Sequence, residues 1–232
     1  MLPWGVFTDS GGDWFDVIPL AGGALAFVVG DVAGRGVEVA GAMSDLRAAV
    51  RAYAVIEGNS PARMLEHLDR LAETTGQGRH ASLLYLTLQP ATGEVGFANA
   101  GGCPPLLIDA GAPAGRFLDG ARSGPLGAAD GVPRREGTLR LGGGATLLLF
   151  TDGLVESPTV PRATGLDRLC RTATDGRVSG EGAEGLCEHV VSACAEGLRR
   201  DDDICLVAVR LAAGRRPGTS GAATRGPGRA GA

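Results

Sequence analysis

Four aspartates from separate parts of the chain have the residue type and the neighbours of metal ligands: Asp13, Asp31, Asp152 and Asp202. Each lies at the edge of an apolar, strand-like run, and successive members are 18, 121 and 50 residues apart. One such aspartate alone is typical of a turn or a cap. Four carboxylates gathered at strand ends repel one another unless a cation lies between them, and hard divalent cations prefer such oxygen ligands. The four together therefore predict a metal site.

The composition narrows the possible functions. The chain has 232 residues, enough for a full core of one or two domains, and all 22 of its basic residues are Arg. The absence of Lys excludes a nucleotide-binding loop of the Gly-x-x-x-x-Gly-Lys type. It also excludes catalysis through a Schiff base on a lysine. Residues 213–232 carry four Arg and no acid, which predicts a disordered basic tail after a domain spanning 1–212. The acidic remainder of the chain argues against nucleic acid as a partner.

Targeting features are missing from the sequence. The five cysteines include no Cys-x-x-Cys pair, as expected for reduced, buried thiols in a cytosolic protein. The first residues lack the pattern of a signal peptide, and the longest apolar run, near 24–29, is too short to span a bilayer. We therefore expect a cytoplasmic protein without membrane contact.

The hydrophobic pattern predicts the elements that must position the aspartates. A buried strand at 25–29 ends at Gly30-Asp31, and 17–20 is its hairpin partner. Apolar residues at helical spacing from Met43 to Ala54 predict a long helix, and Ser60-Pro61 opens a second one.

Later segments alternate between strands and helices. Residues 111–135 are predicted to be a surface loop, and 138–141 with 146–150 a hairpin around three glycines. Further strands are predicted at 82–88, 94–99, 104–109 and 204–211, and further helices at 165–173 and around 183–194. This order predicts an α+β fold of antiparallel sheets with helices packed outside.

Six motifs, in order over residues 5–211, resemble the metal-dependent protein phosphatase (PPM, type-2C) family, and more narrowly its bacterial SpoIIE/RsbU-type subgroup. Any one of them is weak, whereas all of them in order between the right strands are a strong indication. They are Gly11-Gly12-Asp13-Trp14-Phe15-Asp16, Gly30-Asp31-Val32-Ala33-Gly34-Arg35-Gly36, Asn99-Ala100-Gly101, Gly124-Pro125-Leu126-Gly127, Thr151-Asp152-Gly153-Leu154-Val155-Glu156 and Asp202-Asp203-Ile204.

The resemblance implies a central antiparallel β-sandwich flanked by helices, with two Mn²⁺ or Mg²⁺ ions at one edge. Asp31 would bridge both ions, and the backbone carbonyl of Val32 would bind one of them. Asp13, Asp152 and Asp202 would complete the metal ligands. Asp16 and Asp203 would act through water or through other ligands.

The same resemblance implies a protein-serine/threonine phosphatase in which two ions activate a shared water. Two such ions lower the pKa of the water and neutralise the phosphoryl oxygens, so no protein nucleophile is needed. The implied substrate is a phosphorylated STAS-type anti-sigma-factor antagonist in bacterial partner switching. A homodimer through the early helices, Gly34–Glu57, is a further expectation.

Two family histidines are missing from this chain. The subgroup usually has Gly-His-Gly where Gly34-Arg35-Gly36 stands, and His where Gly102 stands. Arg35 is therefore a candidate contact for the phosphoryl group, and a solvated turn arginine is the alternative. The first strand is also short, and we expect no sensor domain before the catalytic one.

The sequence is also compatible with two other interpretations. The chain could be a weak or inactive phosphatase-fold module that binds a regulatory partner, as the missing histidines and the short first strand would allow. Cys194 and Arg200 have the Cys-x5-Arg spacing of cysteine-dependent phosphatases. That chemistry needs a loop at a helix N-terminus, whereas Cys194 falls late in a predicted helix.

Overall fold

A computed structural model gives the structure of the chain and describes residues 4–8, 12–32, 34, 36–76, 78, 80–128, 132–175, 182–195 and 202–212. Arg35, Arg200 and the predicted tail at 213–232 lie outside the described residues. The described residues form four α-helices and eleven strands. The helices are α1 Val37–Glu57, α2 Pro61–Thr75, α3 Arg162–Ala173 and α4 Ala183–Ala195. The strands are β1 Trp4–Thr8, β2 Asp13–Pro19, β3 Leu25–Asp31, β4 Ser82–Gln89, β5 Glu94–Ala100, β6 Leu106–Ile108, β7 Arg116–Phe117, β8 Arg122–Ser123, β9 Gly137–Arg140, β10 Thr146–Phe150 and β11 Cys205–Arg210.

The strands form two sheets. Sheet I has the order β2-β3-β4-β5-β8, with β9 pairing to β5, and sheet II has the order β1-β11-β10-β6-β7. The pairing is antiparallel except between β5 and β8. The predicted strands at 25–29, 82–88, 94–99 and 204–211 are confirmed, as is the hairpin of β2 with β3.

Three apolar layers place the helices outside the two sheets. Phe27 and Val29 of β3 lie in the cluster between the sheets together with Leu147 and Val207 of sheet II. Because side chains alternate along a strand, Ala26 and Val28 face the other way, into a cluster with α1 and α2. A third cluster joins sheet II to α3 and α4. The α+β sandwich flanked by helices is thus confirmed.

The helices bury the stripes that their sequences predict. Leu46, Val50 and Ala54 are the buried positions of α1, at a spacing of four residues. Helix α2 starts with Pro61, whose fixed backbone angle suits the first turn, and buries Met64, Leu65 and Leu68. Within the described part of the chain, no helix has the length and apolar character needed to cross a membrane.

The predicted hairpin of 138–141 with 146–150 is wrong. Strand β9 pairs with β5 in sheet I, whereas β10 lies between β11 and β6 in sheet II. Their burial explains the difference: β9 alternates between partly buried and exposed residues as an edge strand does, while all five residues of β10 are buried. The glycines between them carry the chain from one sheet to the other. The predicted loop at 111–135 also contains the short strands β7 and β8.

Candidate active site

The first two aspartates are direct neighbours in sheet I. In the register of β2 with β3, Asp13 lies opposite Asp31. Both have the strand parity of Phe15 and Val29, which pack between the sheets. The two carboxylates therefore leave the same face at one end of the sandwich, as the sequence predicts.

The other two aspartates come from the ends of adjacent strands in sheet II. Asp152 follows β10 and opens a 3-10 turn, Asp152–Leu154. Asp202 lies three residues before Cys205, the first residue of β11, and is exposed. Thr151 joins the two segments, because its N–H donates to the carbonyl of Cys205 at 3.0 Å and its hydroxyl accepts from the N–H of Cys205 at 2.9 Å.

Glycine is required at the crossing of these two segments. A Cβ at Gly153 would collide with the backbone carbonyl of Asp203 and lie 3.4 Å from the Cβ of Asp202. The residue after Asp152 therefore packs directly on the acidic segment before β11. This close approach is a physical reason for the Asp-Gly pair in the motif.

A second contact joins the two sheets at the same edge. The N–H of Gly12 donates to Oδ2 of Asp203 at 3.1 Å, and the N–H of Val32 donates to the carbonyl of Gly12 at 3.2 Å. A Cβ at Gly12 would collide with the carbonyl oxygen of Val32 and lie 3.5 Å from Oδ1 of Asp31. The carbonyl of Val32 thus lies close to the first pair of aspartates, where the resemblance implies a metal ligand.

The electrostatics show how crowded these carboxylates are. The pKa of Asp13 is raised to about 8, mainly by burial. The charges of Asp31, Asp202 and Asp152 contribute to this rise, whereas a hydrogen bond from Thr151 opposes it. Burial, followed by the charges of Asp152 and Asp202, raises the pKa of Asp31 to about 6. In addition, Oδ2 of Asp13 is a buried oxygen without a hydrogen-bond partner. A buried acceptor of this kind, among repelling carboxylates, fits a divalent cation.

The carboxylates do not by themselves form a finished metal centre. Within the described ranges, no group of three or more His, Cys, Asp or Glu side chains is arranged so that it could hold a metal ion. Asp152 instead forms an ion pair with Arg162, with 3.1 Å between Oδ2 of Asp152 and Nη2 of Arg162. The same guanidinium lies 2.8 Å, through Nε, from Oε2 of Glu156.

Asp16 differs from its expected role near the metals. Three residues beyond Asp13, its side chain has the opposite strand parity and is 4% exposed on the helix side of sheet I. Arg51 of α1 donates to both of its oxygens, at 2.5 and 2.8 Å. Burial alone would raise the pKa of Asp16, but the hydrogen bond from Arg51 and the charges of Arg47 and Arg51 lower it. Asp16 thus fastens α1 to β2.

The sequence prediction missed Arg162. With Ser82, Gly102, Cys103 and Asp152 it lines a cavity of about 30 Å³ at this edge. Arg162 is the first residue of α3, ten positions after Asp152, and 30% of its side chain is exposed. The one indication in the sequence that Arg162 belongs to the site was its nearness to the motif that contains Asp152.

The Asn99-Ala100-Gly101 motif shapes the wall of this cavity. Asn99 is 1% exposed, accepts from the N–H of Gly102 at 2.8 Å and donates to the carbonyl of Cys103 at 3.0 Å. Gly101 has φ +76, and a Cβ there would press on Pro125 of the Gly-Pro-Leu-Gly segment. These residues hold the turn rather than supply acid–base groups.

The Cys-x5-Arg alternative loses its chemical basis. Cys194 is buried in α4, and burial raises the pKa of its thiol to about 11. A buried, protonated thiol within a helix is a poor nucleophile.

Comparison with known proteins identifies the family. The family model "Stage II sporulation protein E (SpoIIE)" matches residues 21–212. The structure of the RsbU and RsbW domains of a Mycobacterium tuberculosis protein is similar, with 29% identity and a TM-score of 0.81, over 91% of this chain and 62% of that one. The chain therefore spans less than two thirds of that relative.

Two further structures share the fold. The SiaA-PP2C domain of Pseudomonas aeruginosa has 22% identity and a TM-score of 0.73, over 89% of this chain and 84% of that one. RsbX in complex with magnesium has 15% identity and a TM-score of 0.61, over 91% of this chain and all of that one (100%).

Proposed function

Because the chain belongs to the SpoIIE family of PP2C-type serine/threonine phosphatase domains, we propose that it hydrolyses phosphoserine and phosphothreonine in proteins with the aid of divalent cations. The observation that carries the proposal is the meeting of aspartates from both sheets at one edge, where Oδ2 of Asp13 is buried without a partner. This arrangement is unfavourable without a cation, since burial and the neighbouring carboxylates raise the pKa of both Asp13 and Asp31.

The residues that would hold two Mn²⁺ or Mg²⁺ ions at the proposed site are Asp13, Asp31, Asp152, Asp202 and, through its carbonyl, Val32. When bound, such ions supply Lewis-acid chemistry, lowering the pKa of a water and neutralising charge on the phosphoryl oxygens. The contributions of the chain are different. Its strands hold the carboxylates at fixed positions. The Gly12 contact joins the two sheets at this edge, and the Gly153 contact joins the two segments of sheet II.

The substrate and the partners follow the family. We propose a phosphorylated STAS-type anti-sigma-factor antagonist as substrate, Arg35 as a contact for its phosphoryl group, and a homodimer through Gly34–Glu57. Support for the dimer comes from the outer face of α1, where Val55 is 87% exposed and Ile56 is 73% exposed. Arg35 rests on its place in the Gly30–Gly36 motif.

The alternative function is a weak or inactive phosphatase-fold module that binds a regulatory partner. It is favoured by glycine at position 102, where the family usually has histidine, and by the engagement of Asp152 with Arg162. Against it stand four aspartates retained at one edge, since binding to a partner alone does not require crowded carboxylates.

The test is phosphate release from a phosphoserine protein in the presence of Mn²⁺ or Mg²⁺. We expect activity that EDTA abolishes and that Asp31→Ala lowers by about a hundredfold or more, because a proposed metal ligand is lost. The matched control is Asp167→Ala, which removes an exposed aspartate on α3 and should behave as wild type. Equal rates for wild type and Asp31→Ala would rule out the enzyme and favour the binding module.

A further inference from the structure

Arg162 lies beside the carboxylate cluster and has N–H donors that the cluster does not occupy. A guanidinium has five N–H donors in a planar fork. Two of them are engaged in the described structure, one by Oδ2 of Asp152 and one by Oε2 of Glu156. In the part of the chain that the structure describes, no hydrogen bond is assigned to Nη1 of Arg162.

The side chain is held rather than free. Its two acidic partners lie on different atoms of the guanidinium, which fixes the plane of the fork. The backbone supports this position, since the N–H groups of Val155 and Glu156 both donate to the carbonyl of Asp152 at 2.8 Å. A fork held by two carboxylates loses little further side-chain entropy when it binds a ligand.

A cavity of about 30 Å³ lies beside Arg162. It is lined by Gly101 and Gly102, by the hydroxyl-bearing Ser82 and by Asp152. A Cβ on Gly102 would lie 3.2 Å from Oδ1 of Asn99 and 3.7 Å from Oγ of Ser82, so glycine leaves this space open. The second oxygen of Asp152, Oδ1, accepts no hydrogen bond from the described residues and stays available to a cation.

We propose that Arg162 binds the phosphoryl group of the substrate, with Asp152 and Glu156 holding its guanidinium in place. This inference rests on the proposed function, because it assigns a role within the same site. Asp152 would then offer one oxygen to a metal ion, while its other oxygen accepts from Arg162. That places the arginine next to the phosphoryl oxygens, where a planar fork can form two parallel hydrogen bonds. Glu156 acts as a positioning residue.

The experiment measures binding, not turnover. Calorimetry on the full chain first titrates Mn²⁺ into wild type, Arg162→Ala, Arg162→Lys and Arg171→Ala, and then titrates inorganic phosphate into the Mn²⁺-loaded proteins. Arg171→Ala is the matched control, since Arg171 is an exposed arginine on the same helix. Thermal denaturation of each variant shows whether it folds.

The expected result separates phosphate from metal. Arg162→Ala should weaken phosphate binding about tenfold to a hundredfold, the value of a charge-assisted hydrogen bond pair. It should leave Mn²⁺ binding unchanged or up to about tenfold tighter, because a positive charge beside Asp152 is gone. Arg162→Lys should keep the charge but lose the fork, and fall between wild type and Arg162→Ala.

Three results would overturn the proposal. In the first, Arg162→Ala binds phosphate within twofold of wild type. In the second, Arg162→Ala binds both Mn²⁺ and phosphate more weakly and also has a lower melting temperature. In the third, the Mn²⁺-loaded wild type does not bind phosphate. The second of these would mean that Arg162 only supports the fold. Failure of the proposed function has a different signature, namely normal phosphate binding without release of phosphate from any phosphoserine protein.

Discussion

The stability of the metal-free protein should fall as pH rises, and Asp13 should be the main cause. Its carboxyl is crowded by Asp31 at the paired end of β2 and β3, and burial raises its pKa from 3.8 to about 8. Since the unfolded chain lacks this burial, the folded protein binds more protons between these pH values. The free energy of unfolding must then decrease as pH rises through this window.

The magnitude follows from the shift. A change from 3.8 to about 8 corresponds to at most about 6 kcal/mol, at 1.36 kcal/mol for each pH unit. Asp13 is partly exposed and interacts with Asp31, so solvent screening should leave about half of this, about 3 kcal/mol. Most of the loss should fall between pH 5 and pH 9, where ordinary aspartates no longer titrate.

The assay is urea denaturation in EDTA at several pH values, with Asp13→Asn and Asp16→Asn for comparison. Asp13→Asn should match wild type near pH 5 and exceed it by about 3 kcal/mol near pH 9, because it removes the repelling charge. Asp16→Asn is the control of opposite sign. Arg51 helps to lower the pKa of Asp16, so its stabilisation is lost only as pH falls below the ordinary aspartate range.

Asp16→Asn should therefore be less stable than wild type throughout, with the same decrease towards high pH. Adding Mg²⁺ near pH 9 should restore stability to wild type but not to Asp13→Asn, since a bound cation favours the folded state. A wild-type protein whose stability in EDTA is constant or rises from pH 5 to pH 9 would refute this reasoning.

Two further variants test the packing around the site. Gly153→Ala should lower stability by about 1–3 kcal/mol and weaken Mn²⁺ binding, because the new Cβ collides with the carbonyl of Asp203; calorimetry showing wild-type affinity would contradict this. Arg134→Ala should destabilise the protein by about 3 kcal/mol in urea denaturation, since the carboxylate of Asp69 loses its ion-pair partner. Arg134 is 6% exposed and forms a 2.5 Å ion pair with Asp69. A decrease in the free energy of unfolding below about 1 kcal/mol would show that water replaces the pair.

Much of the fold could be predicted from local patterns. The apolar run before Asp31 and the alternation in β2 were sufficient to predict their hairpin, because one face of each strand is buried. The stripe of α2 was equally clear, since Met64, Leu65 and Leu68 recur at helical spacing. Each of these elements is specified by residues close together in sequence.

The errors arose where partners are distant in sequence. Three glycines between two short apolar runs are typical of a hairpin, yet β9 and β10 belong to different sheets, chosen by their pairing with β5 and β11. The pairing of Arg162 with Asp152, only ten residues apart, was missed for a different reason, since it depends on how the chain turns between β10 and α3. Asp16 could have been placed correctly, because an aspartate three residues from Asp13 on a strand must face the other side.

The location of the site on two sheets has a structural consequence. Asp13 and Asp31 belong to sheet I, and Asp152 and Asp202 adjoin sheet II, so their distances depend on how the sheets are joined. The joint at this edge includes the hydrogen bond from Gly12 to Asp203, while the apolar layer lies behind it. Helix α1 is fastened through Arg51 to Asp16, three residues from Asp13 on the same strand. Through this ion pair, α1 is joined to the strand that carries Asp13.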